Sequence, residues 1–188
     1  MSNLARDQKR LTVDEFLVWA ETQDRGRFEL FCGEIIAMAP ERAEHAKSKA
    51  HIWRGLATGI EAARLPCEAY VDGLAVVIDH DTSYEPDALV NCGPPIDPKS
   101  LKAPSPVVIV EVMSPSSTGI DKHIKMADYF RVPSIMHYLL VDLGRRNVLH
   151  VRRAEPGDGR RLTVTILTEG DITLDPPGLT LPVMTCLG

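Results

Sequence analysis

Two carboxylates stand in stretches where a buried β-strand would otherwise be wholly apolar. Asp87 follows Pro86 at the head of Ala88-Leu89-Val90, and Glu111 lies inside the run Val107 to Val112. Burying an ionised carboxylate is costly unless it is paired, binds a metal ion or stays hydrated. Each of these two groups is therefore a candidate for chemistry, and each needs a partner.

The chemistry open to the pair depends on whether the two carboxylates meet. Side chains alternate along a strand, so Glu111 shares a face with Ile109 near the end of a central strand. If the strand headed by Asp87 is its neighbour, the two groups approach closely and repel unless a cation lies between them. Oxygen ligands on a rigid sheet favour Mg²⁺ or Mn²⁺ over zinc. A structural alternative stays open, in which Lys125 or Arg131 forms an ion pair with Glu111.

The surrounding patterns predict helices on either side of a sheet. Thr12 with Glu15 three residues later is a capping-box signature for a short first helix. Long helices are predicted over 44–63 and over 118–132, the second capped by Thr118 and closed by Pro133. The β-branched run 107–112 is typical of a strand covered on both faces. The remaining strand patterns lie at 28–31, 34–38, 67–71, 74–79, 86–90, 136–142, 148–153 and 162–170. This order predicts an α/β (α+β) domain.

The first long helix carries apolar residues at helical spacing, and they predict its buried face. They are Ala46, Ala50, Trp53, Leu56, Ala57 and Ile60. Lys49 is expected to lie off this stripe. His45 and His51 are six residues apart and point to different faces, so they do not form a zinc-binding pair.

Composition limits the class of protein. The chain has 188 residues, 44% of them hydrophobic, which is enough for a real core in one domain. A formal charge of −5 excludes a strongly basic nucleic-acid binder, so any contact with nucleic acid needs a local patch. The four cysteines form no C-x-x-C pair and favour free thiols in a reducing cytoplasm. Neither a signal peptide nor a membrane-spanning apolar run is evident, so a cytoplasmic protein without membrane contact is expected.

A Pro-Asp pair followed by a Glu on the next strand resembles the PD-(D/E)xK nuclease superfamily, although Met113 stands where that pattern has its lysine. A longer resemblance, from about Phe28 to the end, is to the Uma-type restriction endonuclease family. Its most specific piece is EVMSPSSTGIDKHIKMADY. The other similar segments are RFELFCGEIIAMAPERAEH, YEPDALV, the continuation to HYLLVD, and GLTLPV.

This resemblance implies a restriction-endonuclease-like mixed β-sheet flanked by helices, with residues 1–188 as one domain and 1–25 as an N-terminal helical extension. It implies that Asp87 and Glu111 hold Mg²⁺ or Mn²⁺ and that Lys125 supplies the positive charge. The site residues further include Glu34 and His45, which match family positions along with Glu29. A DNA substrate and a homodimer are also implied.

Two hypotheses remain at this point. The first is a metal-dependent endonuclease that hydrolyses DNA phosphodiester bonds, which retention of Asp87, Glu111 and Lys125 favours. The second is a catalytically inactive nuclease-fold protein that serves as a binding or assembly module, which Met113 and the negative net charge favour. Lys125 also has a structural alternative, an i,i+4 pair with Asp121 on an exposed helix face.

Overall fold

The computed structural model describes residues 10–113, 119–154 and 161–188, with the backbone alone for 119–122. The predicted N-cap Thr118 and the side chain of Asp121 lie outside this part. The four helices described are α1 (Val13–Glu21), α2 (Ala43–Ala63), α3 (Gly119–Tyr129) and α4 (Val183–Leu187). The strands are β1 (Phe28–Phe31), β2 (Glu34–Ala37), β3 (Cys67–Val71), β4 (Val76–Val77), β5 (Ser83–Tyr84), β6 (Ala88–Cys92), β7 (Pro106–Val112), β8 (His137–Asp142), β9 (Asn147–Arg153), β10 (Leu162–Leu167), β11 (Asp171–Leu174) and β12 (Leu179–Pro182).

A six-stranded mixed sheet, in the order β10-β9-β8-β7-β6-β3, forms the centre of the fold. The pairing of β7 with β8 is parallel, whereas the other pairs in this sheet are antiparallel. Its central strand β7 is buried over Pro106–Val110, as its β-branched sequence predicts. The prediction that the strand headed by Asp87 is the neighbour of the strand that contains Glu111 is confirmed, because β6 pairs with β7.

Both faces of this sheet are covered. On one face, α2, α4 and the hairpin β11–β12 bury a cluster that includes Leu56, Val108, Val110 and Leu181. On the other face, Tyr129 and Phe130 at the end of α3 pack with Ile109 and Tyr138. Glu111 follows Ile109 by two residues, so it projects to the α3 side. The mixed α+β architecture predicted from the sequence is therefore present.

A second, four-stranded sheet in the order β2-β1-β5-β4 carries the predicted hairpin β1–β2. Its turn is formed by Cys32 and Gly33, both with positive φ. Helix α1 begins with the predicted capping box between Thr12 and Glu15, and Val13 and Phe16 pack against this sheet. The hairpin of this sheet lines one side of the cleft that contains Asp87 and Glu111.

The buried face of α2 differs from the predicted stripe. Ala46 and Ala50 are exposed and Trp53 is 38% exposed. The buried side chains are His45, Ser48, Lys49, Ile52, Leu56 and Ile60. The observed buried face differs from the predicted stripe because His45 and Lys49, in the first two turns, contact acidic residues. The spacing of apolar residues does not reveal such contacts.

The expectation of four free thiols is wrong for two of the cysteines. Cys67 and Cys92 form a disulfide. They lie directly opposite each other because β3 pairs antiparallel with β6, although 25 residues separate them in sequence. Cys32 and Cys186 are free, as expected. The cysteine pattern therefore no longer supports a reducing compartment.

Within the described part of the chain, no helix combines the length and apolar character needed to cross a bilayer.

Candidate active site

A cleft of about 650 Å³ opens between the start of α2, the hairpin β1–β2, the end of β7 and helix α3. Four of the predicted site residues line it: Asp87, Glu111, Lys125 and His45. Other residues along its wall carry charge or polarity, namely Arg27, Glu29, Glu41, Arg42, Glu44 and Asp142. The cleft therefore brings acidic and basic groups from distant parts of the sequence into one place.

The two carboxylates that the sequence singles out are cross-strand neighbours. The register of β6 and β7 pairs Ala88 with Val110. Continuing that antiparallel register by one step places Asp87 opposite Glu111. Opposed residues on neighbouring strands share a face, so both side chains reach the same cleft.

Asp87 is 5% exposed and is held by groups that stabilise its charge. The backbone N–H of Val112 donates to Oδ2 at 2.7 Å, and His45 Nε2 lies 3.3 Å from the same oxygen. Lys49 Nζ lies 3.7 Å from Oδ1. Burial alone raises the pKa of Asp87, but His45, the Val112 amide and Lys49 together lower it below its usual value. Asp87 is therefore ionised at neutral pH.

Glu111 differs from Asp87 because its surroundings disfavour the ionised form of its carboxylate. Its side chain is 13% exposed, and Tyr129 Oη donates a hydrogen bond to Oε1 at 2.9 Å. Burial, reinforced by repulsion from Asp87 and Glu29 and opposed by Lys125, raises the pKa of Glu111 to about 8. Two neighbouring carboxylates whose pKa values are displaced in opposite directions are typical of functional sites.

Lys125 on α3 enters the cleft between two acidic groups. Its Nζ lies 2.7 Å from both carboxylate oxygens of Glu29 and 3.9 Å from Glu111 Oε1. Glu29 is only 6% exposed, and its Oε1 also accepts a hydrogen bond from the backbone N–H of Glu85. Arg131, the other proposed partner of Glu111, instead contacts Asp79 and Asp128.

Lys49 is the principal residue that sequence reasoning missed. Its side chain is 3% exposed, contacts Glu41, and lies 2.7 Å from Asp72 Oδ2. Arg27 adds contacts to Glu41, Asp72 and Glu85. The only available signal was that Lys49 lies four residues after His45 on the same helix, a spacing that puts both on one face.

Glu34 does not join this group. It is the exposed first residue of β2, pairs with Phe31 in the hairpin register, and does not line the cleft. Met113, at the position of the superfamily lysine, does line the cleft but carries no charge. The lysine that reaches Glu111 among the described residues comes from α3, as the resemblance implied.

Comparison with known proteins decides the family. A family model named Uma2 and described as "Putative restriction endonuclease" matches residues 13–184. The chain belongs to the Uma2 family. The uncharacterized protein sll1609 of Synechocystis sp. is 30% identical over 164 residues, covering 86% of this chain and 90% of that protein. A second Synechocystis protein, slr1290, is 30% identical over 137 residues, covering 70% and 68%.

A solved structure supports the fold. A crystal structure from Anabaena variabilis, described as "a putative nuclease belonging to DUF820", superposes with a TM-score of 0.72 at 16% identity. The match covers 94% of this chain and 97% of that one. This Uma2 family member therefore has a nuclease-like fold, and the cleft is its candidate active site.

Proposed function

We propose that this protein is a metal-dependent endonuclease that hydrolyses phosphodiester bonds of DNA. The observation that carries the proposal is the meeting of Asp87, Glu111 and Lys125 in one cleft, with the pKa of Glu111 raised to about 8. Uma2 family membership supports the same class of reaction. Asp87 and Glu111 would be the metal ligands, and Lys125 would be the catalytic cation.

The residues present fit a hard divalent cation such as Mg²⁺ or Mn²⁺. Both donors are carboxylates, the ligand type these ions favour. Asp87 Oδ2 is occupied by the Val112 amide, which leaves Oδ1 as its candidate ligand atom. Burial first, and then repulsion from Asp87 and Glu29, raise the pKa of Glu111 to about 8, because Lys125 offsets them only in part. Binding of a dication would relieve that repulsion.

When bound, such an ion polarises a phosphoryl oxygen and lowers the pKa of an attacking water. The protein's own side chains supply the rest. The Val112 amide and Tyr129 hydroxyl orient the Asp87 and Glu111 carboxylates. Lys125, held by Glu29, would stabilise the negative charge that grows on the phosphate as water adds and the bond to the leaving oxygen breaks.

The substrate assignment rests on the family and on local charge. The net charge of −5 makes the molecule as a whole repel DNA. The cleft, however, also carries Arg27, Arg42 and Lys125, which are suited to a phosphate backbone. We further propose a homodimer, because cleavage of both strands of a duplex requires two active sites.

A second function is favoured by two observations. Met113 occupies the superfamily lysine position, and Lys125 is closer to Glu29 than to Glu111. A protein with this fold and without activity would serve as a binding or assembly module. Cleavage measurements separate the two functions directly.

The test is nicking of supercoiled plasmid by the full chain with Mn²⁺ or Mg²⁺ and with a chelator. The wild type should nick only with the divalent ion, whereas Asp87→Asn and Glu111→Gln should lose activity because the ion is no longer held. The controls Asp171→Asn and Glu169→Gln change exposed carboxylates outside the cleft and should retain wild-type activity. Absence of divalent-dependent nicking by the wild type would favour the module, and full activity in Asp87→Asn would refute the site.

A further inference from the structure

Strand β10 is an outer strand of the central sheet. One of its edges pairs antiparallel with β9 in a continuous register, and the other has no partner strand among the described residues. Its sequence, LTVTIL, contains neither a charged residue nor a proline. Proteins usually protect an outer strand with such residues, because its unpaired N–H and C=O groups can pair with another strand. The open edge of β10 is therefore suited to strand pairing.

The backbone groups that point to this open edge belong to alternate residues. The N–H of Ala154 donates to the carbonyl oxygen of Arg161, which lies opposite it when the register of β9 and β10 is extended by one residue. Hydrogen-bonded pairs alternate along an antiparallel ladder, so the odd-numbered residues of β10 bond to β9. The N–H and C=O groups of the even-numbered residues, Leu162, Val164 and Ile166, consequently face away from β9.

The side chains of the same three residues form an exposed apolar row. Leu162, Val164 and Ile166 are 36%, 58% and 66% exposed, and they share one face because side chains alternate along a strand. Val164 lies opposite Val151, which is buried in the cluster on the α3 side of the sheet. The row therefore lies on that side, and its exposure shows that the described residues leave it uncovered. Contiguous exposed apolar side chains are typical of sites of association.

A second copy of β10 fits this edge. When two copies run antiparallel about a two-fold axis through Val164, this residue opposes itself and Leu162 opposes Ile166 of the second copy. All the outward-facing residues then form hydrogen-bonded pairs, and each apolar side chain has an apolar neighbour across the axis. A shift of one residue would oppose outward-facing groups to groups already bonded to β9, and a shift of two would leave only two of the three pairs within the strand. The strand is therefore complementary to itself in one register.

The charges at the two ends of β10 also complement each other in this register. Arg161 precedes the strand, Glu169 follows it, and both are exposed. The two-fold axis brings Arg161 of each copy toward Glu169 of the other, diagonally across the ends of the pair, where long side chains can meet. Because the strand between them carries no charge, no like charges are opposed.

We infer that two copies of this chain associate through β10, antiparallel about a two-fold axis at Val164, and join their six-stranded sheets into one continuous sheet. Such an interface is isologous, with the same surface on both subunits, and it leaves no unpaired edge at β10. The inference gives the homodimer proposed above an interface. It rests on the geometry of β10 and does not require nuclease activity.

The first test is the mass of the full-length protein by light scattering after size-exclusion chromatography. The wild type should have twice its chain mass of 20.7 kDa. Val164→Lys should be a monomer, because two ammonium groups would face each other at the axis. The matched control Val71→Lys changes an exposed valine on β3, the opposite outer strand of the same sheet, and should remain a dimer. A monomeric wild type, or a dimeric Val164→Lys variant, would overturn the inference.

Cysteine cross-linking tests the register without introducing charge. The background is Cys32→Ser, which removes the exposed free thiol. Opposed residues of a hydrogen-bonded antiparallel pair have Cα atoms about 5.5 Å apart, which is within disulfide range. Val164→Cys should therefore form a covalent dimer by itself on oxidation. Leu162→Cys and Ile166→Cys should form one only when the two variants are mixed, and cross-linking of either alone at the level of the mixture would refute the register.

Plasmid nicking measured on the same preparations separates this inference from the proposed function. A dimeric wild type that cross-links in the expected register but does not nick would contradict the nuclease alone. A monomeric wild type that nicks with Mn²⁺ would contradict the β10 interface alone. Circular dichroism of Val164→Lys checks that loss of the dimer is not loss of the fold, and the cross-linking result stands independently of that variant.

Discussion

Lys125 is bound more closely by Glu29 than by Glu111, with Nζ 2.7 Å from the first carboxylate and 3.9 Å from the second. The two acids come from different sheets, Glu29 from β1 and Glu111 from β7. One ammonium on α3 thereby links the hairpin sheet to the central sheet at the cleft. Glu29 is thus a candidate positioning residue for the proposed catalytic lysine.

Replacement of Lys125 should separate catalysis from metal binding. Lys125→Ala should lower the rate of Mn²⁺-dependent nicking by about 10²-fold or more, because one stabilising group is lost from the transition state. Calorimetric Mn²⁺ affinity should change little. Lys125→Arg should rescue the rate only in part, since a broad guanidinium does not replace a compact ammonium. Nicking at the wild-type rate by Lys125→Ala would remove this residue from the mechanism.

Glu29→Gln tests the positioning role. The amide keeps the shape of the side chain but holds Lys125 less firmly, so the nicking rate should fall by less than in Lys125→Ala. Its effect should also be absent in a Lys125→Ala background, because the two residues act through one contact. Independent, additive losses in the double variant would contradict the role.

Glu111→Gln should stabilise the metal-free protein at alkaline pH. The pKa of Glu111 is about 8 in the folded state against an ordinary 4.5. The favourable contribution of its protonated form is therefore complete below pH 4.5 and is lost as pH rises to about 8. Urea unfolding at pH 5 and pH 8.5 should show the variant gaining on the order of 3 kcal/mol relative to wild type over this range. Parallel pH profiles for the two proteins would disprove the buried, repelled state of Glu111.

Two buried histidines that are hydrogen-bonded to each other should make the fold sensitive to acid. His137 Nε2 donates to Pro176 O at 2.9 Å, so its Nδ1 accepts from His150 Nε2, also at 2.9 Å. Burial, helped for His137 by His150 and for His150 by Arg152, lowers the pKa of each to about 4. Their contribution to stability is complete above the unfolded pKa of about 6.5 and is lost as pH falls to about 4, at roughly 3 kcal/mol for each ring.

The measurement is urea unfolding of wild type and His150→Gln between pH 7 and pH 4. The variant should lose less stability over this interval because one buried ring no longer titrates. His51→Gln, on the partly exposed side of α2, is the control and should follow the wild type. A control that flattened the profile equally would show that the buried pair is not the source.

Removal of the Lys49 ammonium should destabilise the fold through like-charge repulsion. Lys49→Met leaves Glu41, Asp72 and Asp87 facing one another without their shared cation. Loss of one partner from a fully buried ion pair costs ~3–5 kcal/mol, and the partial exposure of Glu41 and Asp72 reduces the expectation to about 2–3 kcal/mol. Chemical unfolding at pH 7 measures the change. Lys47→Met, two residues earlier and exposed, should be nearly neutral, and equal effects would refute the network.

Local sequence patterns predicted most elements of the central sheet because the relevant signals are local. Apart from Glu111, the run Val107 to Val112 is apolar on both faces, and the capping box before α1 requires only Thr12 and Glu15. By contrast, the small hairpin β11–β12 and α4 were not predicted as elements. They cover α2 and the sheet from the end of the chain, and their stability comes from that packing.

The disulfide between Cys67 and Cys92 also could not be predicted from local sequence patterns. Nothing in a separation of 25 residues indicates contact, and only the antiparallel register of β3 and β6 brings the two sulfurs together. Whether two distant cysteines can bond is a property of that register rather than of their spacing.

For the site, the sequence by itself singled out Asp87 and Glu111, because a carboxylate in an apolar strand is unfavourable without a partner. Family resemblance added Lys125, His45 and Glu29. The tertiary structure decided which groups meet. Glu34 lies outside the cleft in the folded chain. Lys49, which apolar periodicity assigned to an outward face of α2, is buried beside acidic side chains. Such charge pairing depends on distances across several elements, so only the folded chain could determine it.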